Sequence, residues 1–273
     1  MDGNHENDEH TTGGDGARDE HLLKLMPHPL LKKSLEVRHM CHYLFYVAPD
    51  QVWISDGSNL ILADPSGAIS YHPRDIPVLQ QSYQVHTVAG DGTLFYISKD
   101  FRINKLSKDQ QEGIPLITLE ETWEPMSVLC SPSTGDLLVG THKSHADKRK
   151  SKGKITRYNS NGQQVQTIQH DNNGKLLYKY PGYLSENRNG DIIVSDWHCV
   201  VVTNREGGHR FTYTGHSGPP ISPRGNCTDT LSNILVCDIK TNVSTYARQR
   251  WPLFVVVYTE GWKEHGRTAH LVL

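Results

Sequence analysis

The chain has 273 residues, 36% of them hydrophobic, and a formal net charge of −2. That charge excludes a whole-molecule field that gathers nucleic acid or anionic membrane. No run approaches the roughly 20 apolar residues that span a bilayer. Met1–Glu20 is polar with no apolar signal core, so a cytoplasmic location is expected. Five scattered cysteines, Cys41, Cys130, Cys199, Cys227 and Cys237, form no C-x-x-C pair, so spacing implies neither a zinc knuckle nor a redox dithiol.

In chain order, residues 1–21 offer almost nothing to bury and are expected to be a disordered polar tail. From Leu22 a repeat sets in. Five segments share a turn residue, a β-branched or aromatic run and a small last residue: Gln51–Ser55, Thr93–Ser98, Asp136–Gly140, Asp191–Ser195 and Asn233–Cys237. Their ends are spaced by 43, 42, 55 and 42 residues. A propeller blade of four antiparallel strands needs roughly 40–50 residues, so three intervals each hold one blade and the other carries an insertion. Each run is followed by a second strand and turn, as in Asn59–Gly67, Ile103–Asp109, Lys154–Gly162 and Cys199–Gly207. Glycine at these turns supplies the positive φ of a tight hairpin. Glu124–Cys130, Pro181–Asn187 and Pro223–Asp229 read as innermost strands.

Beyond the period, the phrases VWISDGSNLILADPSG (Val52–Gly67), INKLSK (Ile103–Lys108), CSPSTGDLLVG (Cys130–Gly140), TRYNSNGQQVQTIQH (Thr156–His170), ENRNGDIIVSD (Glu186–Asp196) and SPRGNCTD (Ser222–Asp229) carry a resemblance. The chain resembles the C-terminal NHL-repeat β-propeller of tripartite-motif proteins, in the set expanded in molluscs. The resemblance implies an all-β, nominally six-bladed propeller over residues 22–238. It also implies relatives that hold substrate proteins or RNA on this propeller while a RING promotes ubiquitin transfer, with innate immunity as a setting.

Two departures shape the expectation. No Cys/His cluster precedes Leu22, so RING, B-box and ligase activity are expected to be absent. The pattern stops near Asp238, leaving about four and a half family-like blades and a divergent tail over residues 239–273. An open propeller exposes strand edges. Trp251–Tyr258 is expected either to pair as a substitute strand or to stay an unpaired β-former, with incomplete closure favoured. Ser34–Arg38 reads as a closing strand without a partner blade.

Loop topology sorts the candidate site. The lead-in to each innermost strand and the turn between second and third strands share one face, called here the top face. His86, Trp123, Pro125, Pro181, Tyr183 and Arg224 fall on its lead-ins, and Trp197 and His198 on its turns. The basic stretch Thr141–Lys154 accounts for much of the long interval and adds Lys148, Arg149 and Lys150. A basic rim beside aromatics suits single-stranded RNA or an acidic protein. The expected ligand face is therefore Trp123, Tyr183, Arg224, Trp197, His198, Lys148, Arg149 and Lys150. Asp56, Asp196 and Asp238 recur at equivalent positions and read as structural Asx caps. His142 and His145 are poorly spaced for metal.

These features predict a recognition module that is not an enzyme, needs no cofactor, and associates with a protein, RNA or full-length tripartite-motif relatives. The alternative is a gluconolactonase-like propeller hydrolase with a divalent metal in its channel, for which Glu124, Glu186, Asn187 and Asp229 are the available donors.

Overall fold

The computed structural model describes residues 33–36, 43–48, 51–55, 60–64, 68–71, 78–79, 83–107, 112–215, 220–228, 232–238, 254–255 and 268–271. The expected polar tail, residues 1–21, lies outside them. Among the described residues the chain is all-β apart from a 3-10 turn at Lys148–Lys150, and no helix is long and apolar enough to cross a membrane.

The strands group by sequence into radial sheets. A first strand, β1 (Lys33–Glu36), precedes blade one, which runs β2 (Tyr43–Ala48), β3 (Gln51–Ser55), β4 (Leu60–Ala63) and β5 (Ile69–Tyr71). Blade two is β6 (His86–Val88), β7 (Leu94–Ile97), β8 (Arg102–Leu106) and β9 (Ile114–Thr118). Blade three is β10 (Glu124–Cys130), β11 (Leu137–Lys143), β12 (Lys152–Tyr158) and β13 (Gln164–Ile168). Blade four is β14 (Tyr183–Glu186), β15 (Ile192–Asp196), β16 (Cys199–Thr203) and β17 (His209–Tyr213). Each is a four-stranded antiparallel meander, as the period predicts. Blade five begins with β18 (Pro223–Thr228) and β19 (Ile234–Asp238).

The repeated run is the second strand of each blade, and its composition follows from its position. Such a strand is covered on both faces by neighbouring blades, so it is apolar throughout rather than alternating. Leu137 and Val139 pack toward blade two while Leu138 packs toward blade four. Ile192 and Val194 face blade three and Ile193 faces blade five. The core is thus a series of inter-blade layers. Outermost strands see solvent, and Val165 of β13 is 55% exposed.

The small last residue has a steric cause at Gly140. A Cβ on Gly140 would stand 2.7 Å from the Pro181 carbonyl oxygen, where the lead-in to blade four crosses. That carbonyl accepts a hydrogen bond from Ser127 Oγ at 2.7 Å. At Ser195 the hydroxyl instead accepts from Asn226 Nδ2 of blade five at 2.8 Å. The long interval has two parts: β11 and β12 are seven residues each, and the link to blade four makes a second hairpin, with Gly153 N donating to Tyr178 O at 2.8 Å and Leu177 N to Gln169 O at 2.9 Å. The basic loop therefore supplies only part of the insertion.

Side chains fill the axis. Gln84 N donates to Gly182 O at 3.2 Å, Gln84 Oε1 accepts from Leu184 N at 2.7 Å, and Gln84 O accepts from Val128 N at 3.0 Å, tying blades two, three and four together. A Cβ on Gly182 would meet the Tyr83 ring at 2.7 Å. Tyr43 packs on His86 and Tyr183 with ring centroids 5.0 and 6.2 Å apart.

Closure differs from a standard blade. β20 (Phe254–Val255) pairs with β19 in parallel, so the tail run serves as a substitute strand, although over only two residues. A hairpin continuation would have been antiparallel. β21 (Thr268–Leu271) pairs antiparallel with β1. Ser34–Arg38 was expected to lack a partner blade; Lys33–Glu36 pairs with the tail in a two-stranded sheet instead.

Candidate functional site

The top face gathers polar and aromatic groups where blade three meets blade four. β11 runs to its end against β12, which carries His142 out beside the blade-four lead-in. Its Nδ1 bonds Lys179 O at 2.8 Å. A carbonyl only accepts, so Nδ1 carries a proton, and in the neutral ring Nε2 is the lone-pair nitrogen. The buried His142 ring stacks on Tyr180 with centroids 3.9 Å apart and planes at 24°. Tyr180 meets Trp197 edge-on at 4.4 Å, and Trp197 meets His198 at 5.5 Å.

Asp196 holds this row in place. Buried at the end of β15, its carboxylate accepts from Lys179 N at 2.7 Å and from Tyr180 N. Burial raises its pKa from the ordinary carboxylate value, against the lowering by those N–H groups. Asp238 makes the matching bond in blade five, accepting from Ser222 N at 2.9 Å. Asp196 and Asp238 each reach the lead-in of their own blade's inner strand, and Asp196 also takes the backbone N–H of Trp197 in its own turn. Asp56 lies outside the described residues.

Exposed His198 completes the row. Its Nδ1 bonds Ile221 O at 3.2 Å, so in the neutral ring Nε2 is the proton acceptor, beside an indole that is 37% exposed. Burial and Asp196 push the thiol of the neighbouring Cys199 up to about 12, which disfavours its thiolate.

The predicted site residues fall into three groups. Trp197 and His198 are adjacent and exposed on the top face. Trp123 is half-buried there, with Lys154 Nζ 4.2 Å from its ring centroid. Lys148, Arg149 and Lys150 form an exposed turn capped by Asp147, which also pairs with Arg149 at 3.1 Å. Tyr183 and Arg224 are instead axial: Tyr183 is buried, its hydroxyl pushed up to about 12, and the Arg224 guanidinium lies 5.8 Å from the Tyr83 ring. His86, Pro125 and Pro181 are buried as well. Inner-strand lead-ins turn toward the axis, where blades crowd, so topology alone overstated their exposure. Sequence reasoning missed His142 and Tyr180 as a pair, since they lie 38 positions apart in the chain.

Among the described residues, the donors named for a channel metal are not brought together. Glu124 opens β10 at the top, whereas Glu186 closes β14 at the opposite end. The Glu186 carboxylate already accepts from Ser131 Oγ and, at 2.6 Å, from Ser133 Oγ, with Arg205 3.9 Å away. Asn187 closes its own turn by accepting from Asn189 N and Asp191 N at 2.9 Å. Asp229 lies outside the described residues. Among the described residues no group of three His, Cys, Asp or Glu side chains is placed to hold a metal ion.

No known protein family's profile matches the chain, and no curated protein matches its sequence. Solved structures do. Virginiamycin B lyase from Staphylococcus aureus is 14% identical, with 77% of this chain and 68% of that chain covered and a TM-score of 0.55. A gluconolactonase from Xanthomonas campestris is 13% identical over 71% of this chain and 69% of its own, with a TM-score of 0.49. A Bacteroides caccae protein of unknown function is 10% identical over 73% and 69%, with a TM-score of 0.44.

The chain is a β-propeller. That likeness overturns the expectation that it is not an enzyme. The exclusion rested on analogy with recognition propellers, yet a protein of the same fold is named as a lyase. Fold by itself excludes no chemistry.

Proposed function

We propose that the chain is a ligand-transforming propeller that works by acid–base chemistry at the top of blade four. Trp197 is the platform on which a ring or other planar group of the ligand lies, and His198 takes or returns the proton. His142 and Asp196 are positioning residues: one backs Tyr180, the other fixes the backbone carrying it. The observation that carries this reading is an exposed imidazole whose Nδ1 is committed to a carbonyl, next to an exposed indole braced by Tyr180.

The test is turnover of a panel of aryl esters and lactones by the full chain. Substituting His198→Gln removes the proton acceptor and is expected to lower kcat by about 10²-fold or more, with KM little changed and the rising limb of the pH–rate profile lost. Trp197→Ala raises KM instead. No turnover across the panel, or equal turnover by wild type and His198→Gln, defeats the proposal.

A second reading keeps the resemblance to tripartite-motif propellers and gives the face to single-stranded RNA. It is favoured by Lys148 and Lys150, exposed and without ion-pair partners among the described residues, near Lys154 on Trp123. Changing Lys148, Arg149 and Lys150 to Glu leaves ester turnover intact under the first reading. Under the second it abolishes salt-sensitive retention on RNA.

A further inference from the structure

The turn joining β7 to β8 is closed by Ser98 N donating to Arg102 O and Phe101 N donating to Ser98 O, both at 2.9 Å. This geometry puts Phe101 at φ 60°. The left-handed region suits Gly or Asn, and a bulky L residue there is an outlier. Blade four makes its equivalent turn with no positive φ, pairing Asp196 directly with Cys199. Burial does not explain the residue either, since Phe101 is 40% exposed. A strained aromatic that packs into no core is the kind of residue function retains.

Its surroundings define what it meets. Lys99, on the same turn, is exposed and has no ion-pair partner among the described residues, whereas the Arg102 charge is taken by Asp100 at 3.1 Å. Arg102 pairs with Thr118, from which the chain passes through Trp123 into β10, so this turn lies on the top face. Blades two and four abut at the axis through Gln84 and Gly182.

We propose that Phe101 and Lys99 form a second contact point on the top face, for a ring bearing an anionic substituent such as an aryl carboxylate or sulfonate. This rests on the top face being the ligand surface, and is independent of the histidine chemistry. Phe101 supplies apolar contact and Lys99 the counter-charge.

The test is fluorescence titration of the full chain with anilinonaphthalene sulfonate, alongside thermal unfolding. Phe101→Asn relieves the left-handed strain, so it is expected to raise Tm by about 2–4 °C. It is also expected to weaken the probe about fivefold. Lys99→Glu weakens the probe similarly with Tm unchanged. Unaltered affinity in Phe101→Asn, or a lowered Tm, overturns the proposal. If Trp197→Ala alone weakens the probe, this inference fails and the reading of the face stands; if no variant does, both fail.

Discussion

His86 shows how much a buried polar residue depends on its setting. It lies on β6 with its ring fully buried, and neither nitrogen makes a hydrogen bond of normal geometry. Burial drives its pKa down to about 3, the nearby Trp53 backbone offsetting only part of that effect. An unfolded histidine titrates near ~6.5. Below that value the unfolded chain binds a proton that the folded chain refuses, so stability falls with pH by about 1.4 kcal/mol per unit, until pH approaches the folded value. Between pH 6.5 and 5 the loss attributable to His86 is about 2 kcal/mol. Denaturant titrations at the two pH values check this: His86→Leu should lose that much less than wild type. An equal loss in both would mean that His86 is charged or exposed in the folded chain. The sequence placed His86 on an exposed lead-in, whereas it lies within β6 opposite Tyr96, at the register that buried Leu129 occupies opposite Leu138 in the next blade.

Among the elements, second strands were the legible ones. Ile192–Asp196 and Leu137–Lys143 are buried on two sides, so an unbroken apolar run at a fixed period marks them without any structure. Gly162 and Gly207, at φ 74° and 88°, likewise mark their hairpins. The outer strand β13, Gln164–Ile168, reads only weakly because four of its five residues are exposed or half-buried. The Gln169–Tyr180 hairpin was illegible for another reason: its partners, β12 and Asp196, come from other elements. Gly140 tests the layer argument directly. A methyl group there collides with the Pro181 carbonyl and Ser127 Oγ, so Gly140→Ala should destabilise by about 1–3 kcal/mol. Chemical unfolding reads the effect, and a neutral result would mean that the blade-four lead-in does not cross β11 closely.

At the scale of the whole molecule, the described blades share three apolar clusters, the first spanning blades one to three, and the tail contributes strands that no period announced. The candidate site follows from that arrangement. His142 of blade three and Trp197 of blade four flank Tyr180 because adjacent blades stack with their top ends level. Trp197 and His198 could be read from the sequence as top-turn residues, whereas Tyr183 and Arg224 could not be told from exposed ones, since both answer to the axis rather than to their own turns.

Hydrogen exchange followed peptide by peptide tests the radial packing most directly. Strands β7, β11 and β15 should be the slowest to exchange and should open together, while β13 and β17 exchange faster. If β15 exchanges as fast as β17, the stacked-blade account is contradicted.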